Sequence, residues 1–187
     1  MQDVYIRGIS TVLPNAAITN DDMEAVLGQI GERPARERRI VLARNGIQSR
    51  YYAVDPDTRQ PTASNAALCA EAVRGLQGDA FTLPELDVLA CGTSSPDQIA
   101  PGHGVLVHGE LPEAGVCEAV SLAGICCAGM AALRYAALTV AGGQARHAVA
   151  TGSETASSFM RSEQFAAQDE AQVAALERRP ELAFDGL

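Results

Sequence analysis

The chain lacks an uninterrupted apolar run of the roughly 18 residues that a membrane helix needs; the nearest, 128–141, is broken by Arg134 and a glycine. That segment reads as a buried helix, and no membrane partner is expected. The opening, MQDVYIRGIS, places polar and charged residues in its first three positions and has no apolar leader core, so a cytoplasmic location is expected. Positive charge is scarce: 14 basic residues face 23 acidic ones, a formal net charge of −9, which argues against nucleic acid or an anionic membrane as partner. Cys69, Cys91, Cys117, Cys126 and Cys127 include no CxxC pair, and the three histidines form no HxxxH, so no metal site is expected. Their odd number in a chain of this size also argues against a disulfide framework, leaving small core residues and, in one case, a reactive thiol. Glycine and proline, at 17 and 9 residues, are too few for a collagen-like or low-complexity chain.

What is present is an ordinary globular composition, 47% hydrophobic and 20% charged, over 187 residues, enough for one domain with a substantial core. Residues 4–9, VYIRGI, alternate in part and read as a first strand. Asn20 has the character of a helix N-cap, with Asp21, Asp22 and Glu24 favouring the positive end of the dipole. The stretch 32–44 gathers Arg33, Arg36, Arg38, Arg39 and Arg44, which fits either a solvated helix face or a lip for an anionic ligand. A loop over 51–61 precedes a helix over 63–76. Three apolar runs, LDVLACGT (86–93), CEAVSLA (117–123) and HAVATGSE (147–154), read as buried strands, separated by a helical or extended piece near 104–111 and by the apolar helix after 124. Strands alternating with helices imply a parallel sheet covered by helices, an α/β fold. The tail 157–179 is polar and helical in propensity.

The most informative turn is Gly124-Ile125-Cys126-Cys127-Ala128-Gly129, between a strand and the start of a helix. Backbone N–H groups at a helix start are unpaired, the dipole there favours a thiolate, and ligands approach an α/β sheet at its strand ends. On these grounds the turn fits a cysteine nucleophile or two small core cysteines. Cys127 adjoins the helix proper, and Cys126 is expected to point roughly opposite, into the packing.

ICCAGM followed by an Ala-rich helix and VATGSE, and preceded by VLACGTSSPDQIAP, resembles the N-terminal half of the thiolase superfamily, in particular the β-ketoacyl-acyl carrier protein synthase III enzymes. VYIRGISTVLPNAAITNDDME and ARNGIQSRYYA extend the resemblance over nearly the whole chain. It implies a thiolase-like αβαβα layered fold, with this chain as the N-terminal half of the duplicated repeat. It also implies a dimer, no bound cofactor, and acyl-CoA or acyl-acyl carrier protein as thioester substrate in fatty-acid, polyketide or aryl-lipid biosynthesis.

By the resemblance, Cys127 is the thiol acylated by a thioester, the acyl group then passing to a carbanion made by decarboxylating a malonyl-type thioester. Cys126 stands where the family has alanine and stays a core residue. The family's catalytic His and Asn belong to a C-terminal half that this chain does not contain, so activity is expected only with that half. His103, His108 and His147 match no family motif and read as structural. Arg44 matches an arginine at the mouth of the cofactor tunnel. The family's tryptophan near Ile40, which stacks on the adenine of coenzyme A, has no counterpart, which favours a donor carried on acyl carrier protein. Ala100 precedes Pro101 where bacterial members place a bulky aromatic that reaches the partner's acyl pocket, leaving room for longer or branched acyl groups. The loop SSPDQIAPGHGVLVHGELPE, the doubled cysteine and the tail are also similar to the dialkylresorcinol condensing enzymes. Transfer to an alcohol or amine without decarboxylation, or a non-catalytic partner half, remain as alternative readings.

Overall fold

A computed structural model describes residues 2–29, 36–164 and 178–179. In chain order its elements are strand β1 (Ile18–Thr19), helix α1 (Met23–Leu27), helix α2 (Arg36–Asn45), strand β2 (Ser49–Arg50), helix α3 (Asn65–Arg74), strand β3 (Val88–Gly92), helix α4 (His103–Gly109), strand β4 (Glu118–Leu122), helix α5 (Ala128–Ala141) and strand β5 (Ala148–Gly152). They form two compact units: residues up to Asn15 with Pro61–Ala156, and Ala16–Gln60 with the described residues from Ser157 onward.

The first unit is a parallel sheet in the order β4-β3-β5, with Val88 opposite Glu118 on one side and Ala148 on the other. Side chains alternate across a strand, so β3 feeds two cores. Leu89 and Cys91 pack with Ala66, Cys69, Ala70 and Val73 of α3 and Val107 of α4. Ala90 faces the other way, against Ala132 and Ala136 of α5. The result is one sheet between two helix layers, the α/β layering expected. The crossovers through α4 and α5 supply the helices that a parallel sheet requires.

Several local expectations are corrected. All of β3 is buried, but β4 and β5 are half-buried edge strands, because each has a hydrogen-bonded neighbour on one side among the described residues. Helix α5 is buried along one side only, through Ala128, Ala132, Ala136 and Thr139; Met130 and Leu138 are exposed. Segment 4–9 forms no strand, and Tyr5, Ile6 and Ile9 are 73%, 71% and 85% exposed. Its alternation marks a face fit for burial, but a strand also needs a ladder partner. The described anchor of this terminus is Gln2, whose backbone N–H and side-chain amide donate to Ala141 O and Val140 O at the end of α5.

In the second unit, β1 and β2 pair antiparallel, and Val26, Tyr52 and Val54 form a small core with Ile18 and Leu27. The 51–61 segment has no regular helix or strand, as expected, yet its Tyr52 and Val54 supply much of that core. Asn20 does not cap α1: its amide donates to Ile47 O at 2.8 Å and its carbonyl accepts from Arg50 Nη1 at 2.8 Å. Asp22 holds the N-cap position, with its carboxylate taken by Thr19 Oγ1 at 2.6 Å. The basic run lies on α2, whose Ile40, Val41 and Arg44 are exposed; Arg33 lies outside the described residues, as do 165–177 of the tail. No helix among the described residues is long and apolar enough to cross a membrane.

Candidate active site

The chain leaves β4 through Gly124, at φ 159°, and Ile125, at φ 49°, a left-handed conformation that a β-branched residue rarely adopts. Cys126 and Cys127 follow in a single 3₁₀ turn, Ile125–Cys127, closed by Cys127 N–H donating to Gly124 O at 3.0 Å. Helix α5 then starts at Ala128.

Three glycines let that helix start press onto the sheet. A Cβ on Gly92 would run into the backbone of Ala128 and Gly129, and one on Gly129 would stand 3.2 Å from Gly152 Cα. Backbone on backbone at the ends of β3 and β5 sets the cysteine turn over the carboxyl ends of the strands, where α/β sheets bind ligands.

A cleft of about 420 Å³ opens there, lined by Gly92, Ser94, Cys126, Gly129, Gly152, Ser153 and Glu154 with the apolar Ile125 and Met130. Both cysteines are free and exposed. Cys126 therefore does not pack into the core as expected: the short turn carries it outward, and it lines the cleft, whereas Cys127 is exposed next to it.

A polar network holds the floor. Glu154 accepts hydrogen bonds from Ser94 N–H (2.7 Å), Ser94 Oγ (2.5 Å) and Ser95 Oγ (2.5 Å). Burial opposes its ionisation, but these bonds outweigh it and hold the carboxyl below the usual glutamate range. Asn65, fully buried at the start of α3, donates to Thr93 Oγ1 (2.9 Å) and Ser95 O (2.7 Å), while its own N–H and that of Ala66 bond Asp97, each at 2.8 Å. His103, 2% exposed, meets Ser153 Oγ through Nε2 at 3.1 Å. His103 reads as structural from sequence, and Asn65 and Asp97 were missed; Thr93, Ser94, Ser95, Ser153 and Glu154 were missed too, their one signal being the hydroxyl- and acid-rich tails, GTSS and TGSET, of two apolar runs.

The other candidates lie elsewhere. Ala100 is exposed on the loop between β3 and α4, outside the cleft lining. Arg44 belongs to the second unit. His108 and His147 bond the backbone carbonyls of Gly115 (3.1 Å) and Glu85 (3.2 Å). No group of metal-ligating residues occurs among the described residues.

No family model matches the chain. It is similar to the β-ketoacyl-[acyl-carrier-protein] synthase III of Xanthomonas axonopodis pv. citri, 30% identical over 150 residues, which cover 80% of this chain and 42% of that protein. The enzyme of that name from Rhizobium johnstonii is 30% identical over 157 residues, 83% of this chain and 44% of the relative. Among solved structures, the tetronic acid condensing enzyme AbyA1 superposes with a TM-score of 0.67 at 26% identity, over 80% of this chain and 45% of that one. The β-ketoacyl-[acyl carrier protein] synthase III of Thermus thermophilus gives 0.62 at 26%, over 82% and 43%. The chain thus spans less than half the length of the relatives it matches.

Proposed function

We propose that this chain, similar over 80% of its length to a β-ketoacyl-[acyl-carrier-protein] synthase III and to a tetronic acid condensing enzyme, supplies the acylating cysteine, Cys127, of a condensing enzyme acting on acyl thioesters. The observation that carries this reading is a free, exposed thiol in a glycine-flanked turn at the strand ends, immediately before α5.

In the first half-reaction the Cys127 thiolate adds to the carbonyl of an acyl thioester, and the carrier thiol leaves with a proton. The tetrahedral oxyanion forms next to a helix start, where N–H groups without intrahelical partners favour negative charge. In the second, a malonyl-type thioester loses CO₂, its α-carbon attacks the acyl-Cys127 carbonyl, and the cysteine thiolate is released as the carbon–carbon bond forms. The His and Asn that assist decarboxylation are proposed to come from outside residues 1–187. The product would serve fatty-acid, polyketide or aryl-lipid synthesis.

Arg44, exposed in the last turn of α2, is proposed to meet the phosphate of the pantetheine arm, and the small Ala100 to admit long or branched acyl groups. Carrier-protein thioesters are favoured over free coenzyme A because the chain has no tryptophan. The working form is proposed to be a cytoplasmic homodimer.

The test is intact mass of the full-length protein after exposure to an acyl thioester. One acyl adduct is expected in the wild type and in Cys126→Ala, and none in Cys127→Ala; an adduct that survives Cys127→Ala overturns the assignment. Release of CO₂ from a malonyl thioester, against acyl transfer to an added alcohol or amine without it, decides the reaction type.

A further inference from the structure

Cys126 and Cys127 are adjacent, free and exposed, a combination shared by no other cysteines of the chain. Cys69 and Cys91 are buried, and Cys117 is half-buried. Burial pushes the Cys117 thiol up; the hydrogen bond between Cys69 and Cys91 pulls Cys69 down and pushes Cys91 up, but both of these sulfurs are buried away from solvent. An oxidant arriving from solvent meets the 126–127 pair first. The pair lies in a single three-residue 3₁₀ turn, with Cys127 at the N-cap of α5.

We propose that Cys126 is the resolving thiol of Cys127, the two closing a vicinal disulfide when hydrogen peroxide reaches them. The Cys127 thiolate attacks the peroxide O–O bond and takes one oxygen as a sulfenic acid; the other oxygen leaves as water after taking up a proton. The Cys126 sulfur then attacks the sulfenic sulfur, the S–S bond forms, and the hydroxyl departs as a second water with the Cys126 proton. Two thiols are oxidised by two electrons, and one peroxide is reduced.

The geometry also sets the reverse reaction. Neighbouring Cα atoms stand about 3.8 Å apart across a trans peptide, short of the roughly 4.4–6.8 Å of an ordinary disulfide, so the bond is strained and readily reduced by a dithiol. The pair is a reversible stop ahead of the sulfinic step, from which a cysteine does not ordinarily return. Exposure and adjacency carry this inference without the acylation reading; where that reading holds, the disulfide also removes the acylating thiol from use.

The experiment uses one equivalent of hydrogen peroxide, alkylation with iodoacetamide, and digestion by trypsin with a Glu-specific protease, which frees 119–134 with both cysteines and no other. The peptide is expected to be lighter by two hydrogens, to carry no alkyl group, and to recover two alkylatable thiols after dithiothreitol. Cys126→Ser is expected to hold a sulfenic acid on Cys127 that dimedone traps and that goes on to irreversible oxidation. An oxygen adduct on wild-type Cys127 with Cys126 still alkylatable overturns the proposal, as does a bridge to Cys117 or to a second chain. The readout is mass rather than turnover, so its failure leaves acylation untouched, and failed acylation leaves it untouched.

Discussion

The Glu154 carboxylate at the end of β5 accepts both the backbone N–H and the hydroxyl of Ser94, at 2.7 Å and 2.5 Å, beyond the end of β3. This clamp ties two strand exits together beneath the cysteine turn, and Ser95 adds a third bond to the same carboxylate. Glu154→Gln keeps one acceptor oxygen but loses the charge and half of the acceptor capacity. We expect a loss of about 1 kcal/mol in urea denaturation at neutral pH. An unchanged midpoint would show that the clamp is decorative.

The same clamp carries a pH dependence of known sign. The folded-state pKa of Glu154 is depressed, so its contribution is complete above the usual glutamate value of 4.5 and disappears as pH falls through the lower folded value. Asp87, held low by backbone N–H groups of His147 and Arg146, and Asp55, held low by Thr58, act in the same direction. Stability should therefore be flat from pH 7 to about 5 and fall below 4.5, and Glu154→Gln should remove part of that fall. Urea midpoints across the range check it; a fall that begins well above pH 5 would refute the assignment to these carboxylates.

Asn65 is fully buried, and the shortest bonds of its amide go to Thr93 Oγ1 and Ser95 O of the strand-end loop. Asn65→Ala leaves Thr93 Oγ1 and Ser95 O without that donor, and a cost of about 2–3 kcal/mol is expected by calorimetry or denaturant titration. Amide exchange should rise in the 93–97 loop before it rises in β3.

Gly92→Ala should be among the most damaging single methyl additions in the first unit, because its Cβ meets the backbone of Ala128 and Gly129, which cannot rotate away. About 3 kcal/mol of destabilisation is expected, against little or none for Gly109→Ala, whose Cβ finds nothing within 4 Å. Equal effects at the two sites would refute the close packing of α5 on the strand ends.

Much of the fold was legible because its determinants are local. The run 86–93 is apolar at nearly every position, and β3 is buried on both faces; Ser64 accepts from Ala67 N–H at 3.0 Å where a helix start was read. The glycine-flanked cysteine turn was legible for the same reason. Errors appeared where a second partner decides the outcome. CEAVSLA looks as apolar as β3 but lies at an edge. VYIRGI alternates yet pairs with nothing in the described sheet. Asn20 has the chemistry of a cap, but Ile47 O and Arg50, far along the chain, hold its side chain.

The sequence alone determined the α/β alternation and the placing of two adjacent cysteines between an apolar run and an apolar helix, since hydrophobic periodicity and glycine placement act over a few residues. Only the tertiary structure decided that Cys126 faces the cleft rather than the core, and that Glu154 lies beside Ser94, 60 positions away. Side-chain direction in a three-residue turn depends on how closely Gly92, Gly129 and Gly152 allow the backbones to meet, and that approach is a property of the packed sheet and helix together.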